Sequence, residues 1–176
     1  KPAYSIFLIN KWLPSIKGAV TTLTKGGSFA DIGCGFGHST RMIAEQFPQS
    51  FIRGIDPHDQ SIHEAQKIAE QKSISNLSYE IASAENYSGE YDIISFFDCL
   101  HYMGDPVAAV SYAKTKLKSG GALMIIEPYA NDEVSKNFNI IGQMYYSFST
   151  IACVPASKSQ KAGMALGAQA GLKKLT

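Results

Sequence analysis

Three glycines at alternate positions, Gly33, Gly35 and Gly37, follow an acid, Asp31, in the stretch Ser28-Phe-Ala-Asp-Ile-Gly-Cys-Gly-Phe-Gly-His-Ser-Thr40. Glycine has no Cβ, so a ligand can lie against the backbone itself. An apolar run leads into Asp31, and a run able to form a helix leaves from His38. The turn, with Cys34 at its centre, therefore offers unpaired N–H groups and the positive end of a helix dipole. That is a binding turn for a nucleotide-type ligand. A second acid, Asp56, followed by Pro57, closes another apolar run nineteen residues past Gly37. A carboxylate there can hydrogen-bond both hydroxyls of a ribose.

The spacing narrows the ligand. A dinucleotide fingerprint, GxGxxG, would put its third glycine at position 38, where the chain has His38. GxxxxGK[ST], the loop that cradles ATP phosphates, is absent from the sequence. What remains is an acid followed by GxGxG, with further acids at later strand ends. This suits a ligand without phosphates that carries positive charge.

Alternating elements must position these residues. Tyr4 to Val20 has apolar residues at roughly helical spacing, interrupted by Pro14, and residues 1–25 read as a helical lead-in. Strands are expected at 28–32, 50–55, 77–82, 91–97 and 122–126. Helices are expected at 38–47, 59–71 and 106–118. Ser61 with Glu64 has capping-box spacing. Asp105-Pro106 reads as an N-cap with proline at the first helical position. Val107, Val110 and Leu117 form the expected inward face of that last helix. The alternation predicts an α/β fold: a doubly wound, mostly parallel sheet with right-handed crossovers. Ligands of such sheets bind beyond the carboxyl ends of the strands.

A chain of 176 residues is the size of one domain, and 45% hydrophobic with 18% charged residues is a soluble, globular composition. A net charge of +1 without a basic cluster excludes a nucleic-acid surface on this segment. Cys34, Cys99 and Cys153 are odd in number and far apart, with no His at zinc-ligand spacing. They predict neither a disulfide framework nor a metal site, and a reducing, cytoplasmic setting. Asn137 to Ser157 carries no charge but is too polar for a lipid-facing helix.

Asp-x-Gly-x-Gly-x-Gly resembles the first motif of the class I S-adenosylmethionine-dependent methyltransferases. The resemblance extends over nearly the whole chain from about Leu13. It includes the block Phe96 to Pro106 (FFDCLHYMGDP), Glu127-Pro128, and a late block of Cys153-Val-Pro-Ala-Ser-Lys-Ser-Gln160 with Ala165-Leu-Gly-Ala-Gln-Ala-Gly171. These blocks are similar to a subgroup whose members often carry an N-terminal winged-helix-like region, which this chain lacks. The resemblance implies S-adenosyl-L-methionine as cofactor, with Ala84 and Glu85 against the adenine. It places Phe97 and Asp98 along the methionine part and the methyl-transfer face. The family fold closes with two further strands, which nothing after Thr176 can supply. A single methyltransferase domain over 1–176, as a fragment, is therefore expected.

His101 lies just past Asp98. Near a sulfonium it can serve as general base toward an oxygen or nitrogen nucleophile, or it can orient the loop. The insertion over 131–158 brings Phe138, Met144, Tyr145, Tyr146 and Phe148. It can cover a small, apolar or aromatic acceptor, or pack on the sheet or on a dimer mate. The expected function is methyl transfer to a small-molecule acceptor. The alternative is a non-catalytic cofactor-binding module of a transcriptional regulator.

Overall fold

The structure, a computed structural model, describes residues 2–175, which divide into two compact units. The first holds the residues up to Phe97 together with Ser111–Ile125. The second holds Asp98–Val110 and the residues from Ile126 onward.

The first unit is built on a sheet in the order β3-β2-β1-β4-β5. Its strands are β1 (Ser28–Ile32), β2 (Phe51–Asp56), β3 (Leu77–Ile81), β4 (Tyr91–Phe97) and β5 (Leu117–Ile126). The pairs β1·β2, β1·β4 and β2·β3 are parallel, with Asp31 opposite both Gly54 and Ser95. Parallel sheets are covered on both faces, and β1 and β4 are accordingly almost continuous apolar runs. Phe29, Ile32, Ile52, Ile55, Ile93, Ile94 and Phe96 are buried. β3 lies at the edge and is only half-buried. Each residue of such a core contributes about 1.5–3 kcal/mol when fully removed from water.

Helices His38–Gln46 and Asp59–Gln71 make the crossovers at the predicted places. The second is not started by a capping box at Ser61. His58 is its N-cap, with Nδ1 accepting the Ser61 N–H at 3.3 Å. The lead-in is broken rather than continuous: Pro2–Phe7, a π-turn at Leu8–Trp12, Leu13–Ser15, then Ala19–Thr24. Ile16 is extended, which ends the run, while Leu8, Leu13 and Leu23 anchor the pieces in the core.

Two expectations near β5 need correction. The helix that begins at Pro106 ends at Thr115, and β5 starts at Leu117. Gly120-Gly121, which falls between the expected helix and strand, therefore lies inside the strand. The Tyr91 N–H donates to the Lys116 carbonyl at 2.9 Å, which pulls this stretch onto β4 ahead of the glycines. The buried positions of the helix are Pro106, Ala109 and Ala113; Val110 is half-buried and Val107 is exposed. Small residues sit inward, and Val107, predicted there, does not.

The second unit opens with a 3-10 turn, Leu100–Tyr102. Asp105 caps the Pro106 helix as expected, its Oδ1 accepting the Ala108 N–H at 2.8 Å. A long helical run follows, made of Ile140–Phe148, a π-turn at Ser149–Cys153 and Val154–Lys158. Ser157 ties it down, donating to the Met103 carbonyl at 2.8 Å and accepting the Ala165 N–H at 3.0 Å. Residues 161–171, where the glycines recur at every fourth position, are irregular rather than helical.

Candidate functional site

In the first unit the glycine turn is fastened to the end of β2. The Gly33 and Cys34 N–H groups donate to the Ile55 carbonyl at 2.8 and 3.1 Å. The Gly35 N–H donates to Asp56 Oδ2 at 2.9 Å, and Asp56 Oδ1 accepts the His58 N–H at 2.9 Å. One carboxylate thus sets both the turn and the start of the next helix. Each oxygen keeps a lone pair for a further donor.

Gly35 has φ +52, and a Cβ built on it would meet nothing within 4 Å. The turn therefore leaves open space directly over bare backbone. Gly37 has a different reason to be glycine. Its φ is +65, and a Cβ would strike the Tyr79 hydroxyl. Tyr79 on β3 packs over the turn, and burial pushes its phenol up to about 12, so it stays protonated.

Asp31 is fully buried, and its carboxylate turns into the first crossover helix. Oδ2 accepts the hydroxyls of Ser39 at 2.6 Å and Thr40 at 2.7 Å, and Oδ1 that of Ser95 at 3.4 Å. Burial outweighs these three donors and raises the Asp31 pKa to about 6. The acid of the motif is therefore an internal brace between β1, β4 and the helix. Ser39 and Thr40, missed in the sequence reading, are recognisable only once a buried carboxylate is known to need donors. Burial and the carboxylates of Asp31 and Asp56 push the Cys34 thiol strongly up.

Pro57 is exposed beside Asp56. Ala84 is half-buried, and Glu85 is exposed in the loop after β3. Phe97 is buried at the end of β4, edge-on with Tyr4 at 5.8 Å. The structure thus brings Asp31, the glycine turn and Asp56 together through hydrogen bonds. It leaves Glu85 outside that network.

The second unit holds another cluster. Asp98 adopts φ +57, the left-handed conformation that Asp tolerates better than most residues and that often marks a functional loop. His101 is buried, and its Nδ1 is hydrogen-bonded to Glu127 Oε2. Glu127 Oε1 accepts the Leu100 N–H at 2.8 Å. The side chains of His101 and Glu127 are only 3% and 6% exposed. Asp98, His101 and Glu127 present one ligand-type atom each within 4.8 Å of one another, a grouping able to hold a metal ion that the cysteine count did not suggest. In the sequence Glu127 stands out only as part of Glu127-Pro128, with nothing to pair it with His101. The partners are 26 positions apart in the chain and meet only through folding.

A cleft of about 760 Å³ lies in the same unit, lined in part by Asn131, Tyr146, Thr150, Gln169 and Lys173. Tyr129 is 80% exposed. Among the described residues no helix is long and apolar enough to cross a membrane.

A parallel sheet of this order, with a glycine turn held by an acid at the end of the neighbouring strand, defines an α/β domain of nucleotide-binding type. The model of the family described as a methyltransferase domain matches residues 23–171, and the chain belongs to that family. Its fold is that of the class I S-adenosylmethionine-dependent methyltransferases. The chain is 27% identical over 124 residues to a ubiquinone biosynthesis O-methyltransferase of Acinetobacter baylyi, covering 68% of this chain and 51% of that protein. It is 29% identical over 105 residues to a trans-aconitate 2-methyltransferase of Deinococcus radiodurans, covering 60% and 39%. The chain thus spans about half the length, or less, of these relatives. A solved O-methyltransferase family protein of Burkholderia thailandensis shares the fold, with a TM-score of 0.67 at 17% identity over 88% of this chain and 44% of that one.

Proposed function

We propose that the protein transfers a methyl group from S-adenosyl-L-methionine to a small-molecule acceptor. The observation that carries this reading is the open space over Gly35, bordered by a carboxylate already oriented by two backbone N–H groups. A cofactor without phosphates needs no pyrophosphate cradle. It needs bare backbone and an acid for its ribose.

Asp56 would hold the ribose hydroxyls through its remaining lone pairs, with Pro57 beside it. Gly33, Cys34, Gly35 and Gly37 would line the ligand, and Asp31 would keep their turn in place from beneath. Ala84 and Glu85 would face the adenine, and Phe97 and Asp98 the methionine part. S-adenosylmethionine, when bound, supplies a methyl group already activated on a positively charged sulfur. The task left to the protein is chiefly positioning.

His101 is the proposed general base. With its Nδ1–H given to Glu127, a neutral imidazole has its free lone pair on Nε2, ready to take a proton from an O–H or N–H acceptor. Segment 131–158 is proposed to cover the acceptor with its half-buried Tyr145 and Tyr146, while Phe138, Met144 and Phe148 are exposed; an aromatic, uncharged lining suits an apolar or aromatic acceptor. A cytoplasmic setting is part of the same proposal, supported by the scattered spacing of Cys34, Cys99 and Cys153.

Isothermal titration with S-adenosylhomocysteine tests the reading. One-to-one binding is expected, weakened at least about tenfold by Asp56→Ala, the loss of one charge-assisted contact. A folded protein that takes up no S-adenosylhomocysteine would refute it.

A further inference from the structure

The helical run from Ile140 to Lys158 is amphipathic in the wrong sense for a surface helix. Its buried positions are small: Gly142, Ser149, Cys153 and Ser157. Its large apolar residues point outward. Ile140, Ile141, Met144, Phe148 and Ile151, with Phe138 just before them, are between 46% and 82% exposed. A surface helix normally turns such residues to the core.

This orientation is held firmly. Asn139 caps the helix by accepting the Gly142 N–H at 2.9 Å. The Asn137 side chain is clasped by Asn131, accepting its backbone N–H at 2.8 Å and donating to its carbonyl at 2.9 Å. Ser149 Oγ accepts the Ala168 N–H at 3.0 Å. A Cβ on Gly142 would strike the Asn137 carbonyl, so the inner face admits nothing larger. The helix cannot roll its isoleucines inward without breaking these contacts.

We propose that this outward face is a two-fold interface with a second copy of the chain. Three features favour a copy over another occupant. The first is area. The six exposed fractions amount to about four whole side chains, roughly 800 Å² at about 200 Å² each. That matches the roughly 800 Å² per partner of a standard protein interface. The second is charge. No charged residue lies between Asn137 and Ser157. A helix that lies on a lipid surface carries Lys and Arg along its polar face, and this one has none before Lys158 at its very end. The third is spacing. Ile140, Met144, Phe148 and Ile151 fall on one face at intervals of four, four and three. Laid antiparallel about an axis between Met144 and Phe148, Ile140 of one copy meets Ile151 of the other, and Met144 meets Phe148. The pattern is its own complement, as a two-fold interface requires. Gln143, Ser147 and Thr150, also exposed, supply its polar rim.

Light scattering coupled to size exclusion, over a dilution series, tests this. The wild-type protein is expected at twice the monomer mass. Ile140→Lys and Ile151→Glu are each expected to weaken dimerisation by at least roughly a hundredfold, because each buries an unpaired charge. Mixing the two variants in equal amounts should restore the dimer, since the antiparallel pairing sets the new lysine against the new glutamate. Ile81→Lys, at an exposed isoleucine on β3, should leave the dimer intact, and circular dichroism checks that every variant is folded. A wild-type monomer at all concentrations would overturn the proposal, as would a dimer that survives both single substitutions. Single variants that are monomeric but do not rescue each other would overturn the antiparallel pairing. A wild-type monomer that binds phosphatidylcholine vesicles would assign the face to lipid instead.

Discussion

Asp31 offers a quantitative test of the buried brace beneath the glycine turn. An unperturbed aspartate has a pKa near 3.8, and burial raises this one to about 6 despite the hydroxyls of Ser39, Thr40 and Ser95. The folded protein therefore holds a proton that the unfolded chain has already released. An acid whose pKa rises on folding gives stability that is present at low pH and is lost as pH rises through the window from about 4 to 6. The full difference is worth about 3 kcal/mol, at 1.36 kcal/mol for each pKa unit. Between pH 7.5 and pH 5 the Asp31 contribution alone should add about 1.4 kcal/mol to unfolding free energy. Other groups titrate in the same range, so wild-type and Asp31→Asn proteins are compared by urea denaturation at both pH values. Asparagine keeps the shape and a hydrogen-bonding side chain but cannot titrate. The stability gap between the two should change by about 1.4 kcal/mol in favour of wild type as pH falls from 7.5 to 5. A gap that does not move with pH, or moves the other way, would refute the argument that burial outweighs the three donors.

Three further outcomes follow from the same geometry. Gly37→Ala places a Cβ against the Tyr79 ring at a φ of +65, and should lower stability by at least about 1–2 kcal/mol in thermal or urea unfolding. Adding Tyr79→Phe should recover only part of this, because the ring carbons crowd the site as well as the hydroxyl. Glu127→Ala strands both the His101 Nδ1–H and the Leu100 N–H, and should cost about 2–4 kcal/mol in urea denaturation, whereas Glu127→Gln, which keeps an acceptor, should cost markedly less. The native Cys34 thiol should resist iodoacetamide at pH 8 and react once the protein is unfolded in urea, as read by peptide mass spectrometry, because burial and two carboxylates oppose its thiolate.

The crossover helices and the strands were legible because their apolar periodicity is local. Asp59–Gln71 repeats Ile62, Ala65 and Ala69 on one face, and that pattern needs no tertiary knowledge. The failures lie where a distant partner decides. Leu117–Lys118 reads as the tail of a helix in isolation, yet β4 draws it into the sheet. Lys118 there reaches Asp92 at 2.9 Å, a residue 26 positions away. Val107 suits an inward helical position by hydropathy, but it is exposed while Ala109 and Ala113 of the same helix are buried.

By itself the sequence determined the class of fold, the place of the ligand turn and the kind of cofactor that turn suits. Glycine spacing, the acid before it and the histidine at position 38 are local facts, and they limit what the backbone can approach. Only tertiary structure decided the role of each acid. Asp31 became an internal brace because β4 and the first crossover helix close over it. Asp56 became the clamp of the turn because β2 lies beside β1. Glu127 became the partner of His101 through the fold of the second unit. A carboxylate's function depends on which donors surround it and how much water remains, and neither is written in its immediate neighbours along the chain.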